Sequence, residues 1–414
     1  MKLSTGLPVR CLAAALLVMV WAAGARAQQE QNWDALNARV DDFYHQGKVK
    51  EAVSAARELL RFAEANYGAA TPNVAACLNK LAVLYEEQGN FAEAGPLFRR
   101  ALEIREASGK DSAEIATSLN NLGALYADEG QYEQAEPHYQ RALEIREKSL
   151  GVDNSDLATS LNNLAVLYDL EGREVEALPL YERALAVRER VSRPDDPDVA
   201  KSLLDLAGIY REQQRYEEAE PLYRRVLAID EKASREKGGG DQGDLAATLD
   251  DLGTVYLGEG KYAEAEPIYK RAEALAKENF ARDPLAATIY RNVARLDEAE
   301  GHYDKAEPLD LLALDILEQN FGENSAQLTP VLGSLSELLY LQGRYTEAAT
   351  VLQRELQIQE KVLGANDPTI ATMLDDFAAL LLKTNHSAEA AQAEQRAKAI
   401  RSRAVSAQGS DPAN

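Results

Sequence analysis

Apolar and polar residues alternate with a helical period along almost the whole chain, and the pattern returns about every 42 residues. Within Ser112–Asp153, Leu119, Leu122, Leu125 and Tyr126 fall on one helical face. Tyr132, Ala135, Tyr139, Ala142 and Leu143 fall on the face of a second helix. Gly130 lies between them, where a helix must end at φ > 0 without a Cβ clash. The next segment, Asn154–Asp195, repeats the phrase, with LNNLGALY returning as LNNLAVLY. Each unit therefore predicts two antiparallel helices, A then B, around a tight turn.

Three rows of residues fix the frame. The turn row is Gly47, Gly89, Gly130, Gly172, Gln214, Gly260, Gly301, Gly343 and Asn385, spaced 42, 41, 42, 42, 46, 41, 42 and 42 residues apart. Asparagine is the next-best left-handed residue after glycine, so only Gln214 departs. The second row, Thr71, Ser112, Asn154, Asp196, Gln242, Asp283, Ser325 and Asp367, supplies N-caps for helix A. Pro72, Pro197, Pro284 and Pro368 follow four of them at the first helical position. The third row, Pro96, Pro137, Pro179, Pro221, Pro267 and Pro308, sits seven residues after each turn and predicts a bend or a delayed start in helix B.

A fixed period of this length is the mark of a solenoid, in which each repeat buries its apolar face on its neighbours. Leu122-Gly123, Tyr126, Ala135, Tyr139 and Ala142 match the core positions of the tetratricopeptide repeat. The ~42-residue period and the phrases LNNLA, YEQAEPHYQRALEI and LGVDNSDLATSL closely resemble the longer repeats of kinesin light chains, over roughly Asn32–Val405. The resemblance implies an all-α, right-handed superhelical solenoid of about nine antiparallel helix pairs. Residues 28–67 read as an N-terminal capping repeat, with Arg39 where a core leucine belongs. Residues 68–237 hold repeats 2–5 and residues 244–405 hold repeats 6–9, closed by a polar capping helix. The one irregular spacing coincides with a glycine-rich joint at 238–243, and 406–414 reads as a disordered tail.

Composition narrows the setting. The net charge of −23 argues against nucleic acid, whose phosphates need a basic face, and favours basic partners. Lys2 and Arg10, the apolar run Cys11–Ala23 and the small-x-small Ala25-Arg26-Ala27 read as a signal peptide over residues 1–27. The run is too short to span a bilayer, so no membrane insertion is expected after cleavage, and the chain is expected to be periplasmic or secreted. Cys77 then remains alone in an apolar helix pattern, as a buried, inert thiol.

No catalytic constellation is legible. His45, His138, His302 and His386 lie in separate repeats, and no HExxH, CxxC, GxSxG or phosphate-loop pattern occurs. The expectation is a non-enzymatic module with no cofactor and no metal. In a helix-pair solenoid the A helices line the concave face, the usual binding surface. By helical phase, the residues before each core leucine reach that groove: Lys80, Asn121, Asn163, Asp205, Asp251, Asn292 and Asp376, with Asn79, Asn120 and Asn162 beside them. The tetratricopeptide resemblance implies that Asn121, Asn163 and Asn292 bond the backbone of a bound peptide. Asp205, Asp251 and Asp376 turn the row acidic and favour a basic or amine-bearing protein or peptide partner. The alternative is an assembly scaffold that meets its partners through the convex face or the ends.

Overall fold

The protein is described by a computed structural model, which covers residues 28–107, 112–151, 154–236 and 242–408. The expected leader at 1–27, the glycines 238–240 and the end of the tail at 409–414 lie outside these residues. Helices follow one another in pairs, with no strand among the described residues. The pairs are 28–45 (α1) with Val49–Tyr67 (α2), Pro72–Glu86 (α3) with Phe91–Glu106 (α4), and Ala113–Asp128 (α5) with Tyr132–Leu150 (α6). Ser155–Leu170 (α7) pairs with Glu174–Val191 (α8), and Pro197–Glu212 (α9) precedes Tyr216–Glu236 (α10). Gln242–Gly258 (α11) pairs with Tyr262–Asn279 (α12), and Pro284–Ala299 (α13) with Tyr303–Phe321 (α14). Thr329–Leu341 (α15), entered through a short 3-10 turn, pairs with Tyr345–Leu363 (α16), and Pro368–Lys383 (α17) with Ser387–Gln408 (α18). The last helix thus continues through Gln408 instead of giving way to a tail at Ser406.

Local chemistry sets the ends of these helices. All nine predicted turn positions have positive φ, including Gln214 at 57° and Asn385 at 63°. Ser112, Asn154, Asp196, Asp283, Ser325 and Asp367 each accept a backbone N–H with their side chains, which satisfies an orphan donor of helix A or of the turn leading into it. Two predicted caps act differently. Thr71 Oγ1 donates to the Gly68 carbonyl at 3.1 Å, and Gln242 is already the first residue of α11. The prolines of helix B do not delay its start: each lies five residues inside, as Pro96 does in a helix that begins at Phe91.

The chain divides into two compact units, Met1–Ser202 and Leu203–Asn414. The division falls inside α9, upstream of the glycine-rich joint. In the first unit, one core runs from Leu59 of α2 through Leu78 of α3 and Phe98 of α4 to Leu122 of α5. In the second, Leu249 of α11, Ala272 of α12, Ile289 of α13 and Val331 of α15 belong to one cluster. Burying a leucine of this kind contributes about 1.5–3 kcal/mol, so the stack holds together through neighbour contacts alone. Cys77 is 2 % exposed, and burial pushes its thiol up to about 11, as suits an inert packing residue. In the first repeat, Arg39 pairs with Glu58 and so keeps its charge off the core.

A feature with no sequence expectation runs along the B helices. Arg100 pairs with Glu64 at 2.7 Å, Arg141 with Glu106 at 2.6 Å and Arg183 with Glu147 at 2.6 Å in the first unit. Arg271 with Glu231, Arg354 with Glu318 and Arg396 with Glu360 repeat it in the second, at 2.6, 2.5 and 2.5 Å. Each arginine lies eleven residues after its turn and each glutamate seventeen, so each of these rungs joins a B helix to a neighbouring B helix of the same unit. Between α12 and α14 those positions hold Lys277 and Leu312, and the ladder skips a rung.

Candidate functional site

Within each unit the A helices of successive repeats touch directly: α3 with α5, α5 with α7, α11 with α13, and α13 with α15. The two polar rows expected in the groove ride on these helices, and the structure separates them. Consecutive residues sit about 100° apart around a helix, so only one of two neighbours can face outward. Asn79, Asn120 and Asn162 turn inward and are 7, 4 and 6 % exposed. Asn79 Nδ2 donates to Ser118 Oγ at 3.4 Å, and Asn120 Nδ2 donates to Ser160 Oγ at 3.0 Å. From the B helices, Arg105 and Arg146 reach the same two serines at 2.6 and 2.8 Å, and Arg188 reaches Ser202 at 2.6 Å. These amides and guanidinium groups fasten one repeat to the next.

The outward row in the first unit comprises Lys80, Asn121 and Asn163, all half-buried. Lys80 Nζ is engaged by Asn37 at 2.8 Å and Asp41 at 2.6 Å, both from α1. The side chains of Asn121 and Asn163 make no hydrogen bond to another described residue. In the second unit Asp205 and Asp251 are half-buried and Asp376 is exposed, and Asp251 pairs with Arg211. Asn292 departs from the row: it is 5 % exposed, and its Nδ2 donates to Asp250 Oδ2 at 2.8 Å. There it bridges α13 and α11. Burial pushes the Asp250 carboxyl up to about 7, and its Oδ1 has no protein partner.

Asp376 belongs to a cleft of about 490 Å³ in the second unit. Gly333, Ser336, Glu337 and Tyr340 of α15 form one wall, and Met373, Asp376, Ala379 and Leu380 of α17 form the other. Leu352 and Glu355 of α16 line the floor. Burial, with the Asp376 charge adding to it, pushes the Glu355 carboxyl up to about 7. Beside the cleft, Ser334 Oγ lies 3.1 Å from Asp310 Oδ2 and 3.4 Å from Glu298 Oε1, with one proton to donate to either. Burial holds Asp310 at about 6 and Glu298 at about 7. Sequence reasoning found Asp376 but missed Glu298, Asp310, Glu337 and Glu355. The signal was present in the repeat frame, where Asp310 stands at the position of Phe98, Tyr139, Tyr181, Tyr223 and Tyr269.

Among the described residues one group of metal-ligand types converges, Asp297, Glu300 and His302, with ligand atoms within 4.8 Å of one another. It sits at the surface turn after α13, where the Lys305 ammonium already lies 4.0 Å from Asp297. No described helix is long and apolar enough to cross a membrane.

The sequence profile of the tetratricopeptide repeat matches residues 34–107, 114–190, 171–232, 244–319, 285–360 and 327–403. Among curated proteins, none matches the sequence. Among solved structures, the apo form of the quorum sensor NprR from B. thuringiensis is 16% identical, with a TM-score of 0.60 over 85% of this chain and 96% of its own. A Rap protein complexed with competence and sporulation factor is 16% identical, with a TM-score of 0.50 over 90% of this chain and 98% of its own. BtubC (BKLC) from P. vanneervenii is 25% identical, with a TM-score of 0.49 over 59% of this chain and 91% of its own. The repeat profile covers most of the sequence, and the chain belongs to the tetratricopeptide repeat family, whose stacked helix pairs serve as protein-interaction modules.

Proposed function

We propose that the chain is an exported, non-enzymatic module that holds a peptide or protein segment against the outward face of its A helices. The observation that carries this reading is the pair Asn121 and Asn163. They lie 42 residues apart at matching positions of successive repeats, and their amides have no partner among the described residues. An amide offers donors and an acceptor together, so such a pair can bond the backbone of an extended segment regardless of its side chains. The net charge of −23 and the carboxylates Asp205, Asp251 and Asp376 favour a basic partner and disfavour nucleic acid. Export rests on the leader-like pattern of residues 1–27; N-terminal sequencing that finds Met1 on the mature protein would refute it.

Replacing Asn121 and Asn163 together by alanine should abolish capture of partners from envelope or secreted fractions, with the helical circular-dichroism spectrum unchanged. Undiminished capture by the double variant would sink the reading. A second reading, an assembly scaffold that uses the B-helix face, is favoured by Leu311 and Leu312, 47 and 41 % exposed where the arginine–glutamate ladder lapses. Under it, replacing both leucines by serine should abolish capture and the asparagine variant should retain it.

A further inference from the structure

Twelve residues after the turn, each B helix carries a residue that packs into the seam between repeats. The row reads Leu59, Ala101, Ala142, Ala184, Val226, Ala272, Ala313, Glu355 and Ala397. Apart from Glu355, every member is apolar and at most 1 % exposed. A carboxylate at such a position needs room and a partner. Room comes from Gly333, which stands on α15 where earlier repeats have the seam asparagines Asn79, Asn120 and Asn162. A Cβ at Gly333 would lie 3.5 Å from Glu355 Oε1, so the carboxylate lies against the space that a side chain there would fill. The two departures from the repeat pattern, an alanine replaced by glutamate and a seam residue replaced by glycine, together line the cleft between α15 and α17.

No partner stands among the described residues. Glu355 makes no hydrogen bond or ion pair with any described residue. The other acids of the cleft, Glu337 on α15 and Asp376 on α17, add negative charge. Leu352, Met373, Ala379 and Leu380 give the cleft apolar walls. An apolar passage that ends at a carboxylate matches one side chain in particular. Lysine has a methylene stem to lie along such walls and a compact ammonium to meet the acid at the base. We propose that the cleft lined by Gly333, Leu352, Glu355, Met373 and Asp376 is a pocket for a lysine side chain of a bound protein or peptide. The proposal rests on the reading of the chain as an interaction module and assigns its second unit a side-chain specificity. Bound lysine supplies the charge that Glu355 lacks, so its ammonium lies between the Glu355 and Asp376 carboxylates while its stem covers Met373 and Leu352.

Met373 is the one methionine in residues 28–414, which makes its methyl group an isolated reporter in the cleft. The full chain, labelled with ¹³C at the methionine methyl, is titrated with Nα-acetyl-lysine amide, then with the norleucine and arginine analogues. The Met373 signal should shift with the lysine compound and stay still with norleucine, which keeps the stem and lacks the charge. Glu355→Ala restores the residue type of the other repeats and is expected to fold with a higher Tm, because it removes a half-buried carboxyl that pairs with no described residue. It should weaken the lysine response at least about tenfold, as loss of a desolvated charge partner does. Glu355→Gln should do the same without changing the volume. An equal shift with norleucine or arginine, or an undiminished lysine response in either variant, would overturn the pocket. The Asn121/Asn163 double alanine variant should keep the full lysine response, so a failure of the backbone-binding reading and a failure of this pocket give different results.

Discussion

At the scale of single residues, the chain shows how closely the repeat frame dictates chemistry. Gly253 lies on α11 facing Tyr269, and a Cβ there would meet the ring at 2.6–2.8 Å. Tyr269 is 1 % exposed, and its hydroxyl is 3.1 Å from Thr254 Oγ1, so the ring has little freedom to retreat. Gly253→Ala should therefore destabilise the protein by about 1–3 kcal/mol, the usual cost of overpacking, and urea denaturation should show it as a lower midpoint. Gln214 illustrates the opposite relation. Its side chain gave no reason to expect φ > 0, yet its place in the turn row did, and the backbone follows the row. The seam asparagines were not legible in the same way. Asn120 and Asn121 are identical in type and adjacent, and which one faces out depends on the rotation of α5 against its neighbours.

At the scale of helices, both ends of helix A were legible because capping is local: a side chain two or three residues away satisfies the first free N–H groups. The pairing between B helices was not, because a rung joins residues about 36 apart whose proximity exists only once the repeats have stacked. The missing rung gives a direct test of what the ladder contributes. Installing it with Leu312→Arg and Lys277→Glu should yield a favourable coupling of about 0.2–1 kcal/mol in a double-mutant cycle. The coupling should shrink as salt is added, since both groups are exposed. A coupling that is unchanged by salt would mean that the pair acts through packing rather than charge.

At the scale of the molecule, carboxyls that are buried or half-buried set the dependence of stability on pH. Glu86, Asp250, Glu298 and Glu355 stand at about 7, and Asp310 at about 6, each raised chiefly by burial. A raised carboxyl binds its proton more tightly in the folded chain than in the unfolded one. Its stabilising contribution is fully present below the unfolded value, near 4, and is lost as pH rises through the folded value. Glu136 and Glu220, held low by Arg173 and by Lys261 respectively, act in the opposite sense, but only as pH falls below the ordinary carboxylate range. The urea midpoint should therefore be higher at pH 5 than at pH 8. Replacing Glu298 and Glu355 by glutamine should flatten that slope, and a slope that survives both substitutions would place its origin elsewhere. These groups were invisible to motif search because each is an ordinary acid on an ordinary helix. Glu355 becomes conspicuous only beside the eight apolar residues that share its place in the other repeats.

Within each unit the described helix pairs rest on the pairs before and after them, so tension along a unit would load its repeats in series. Under a steady pull the protein should yield in steps, each releasing one 42-residue unit. Each unit extends to roughly 150 Å at the limit of about 3.5 Å per residue. A force–extension trace with a single large rupture instead of a series of small ones would show that the repeats share load over longer distances than their packing provides.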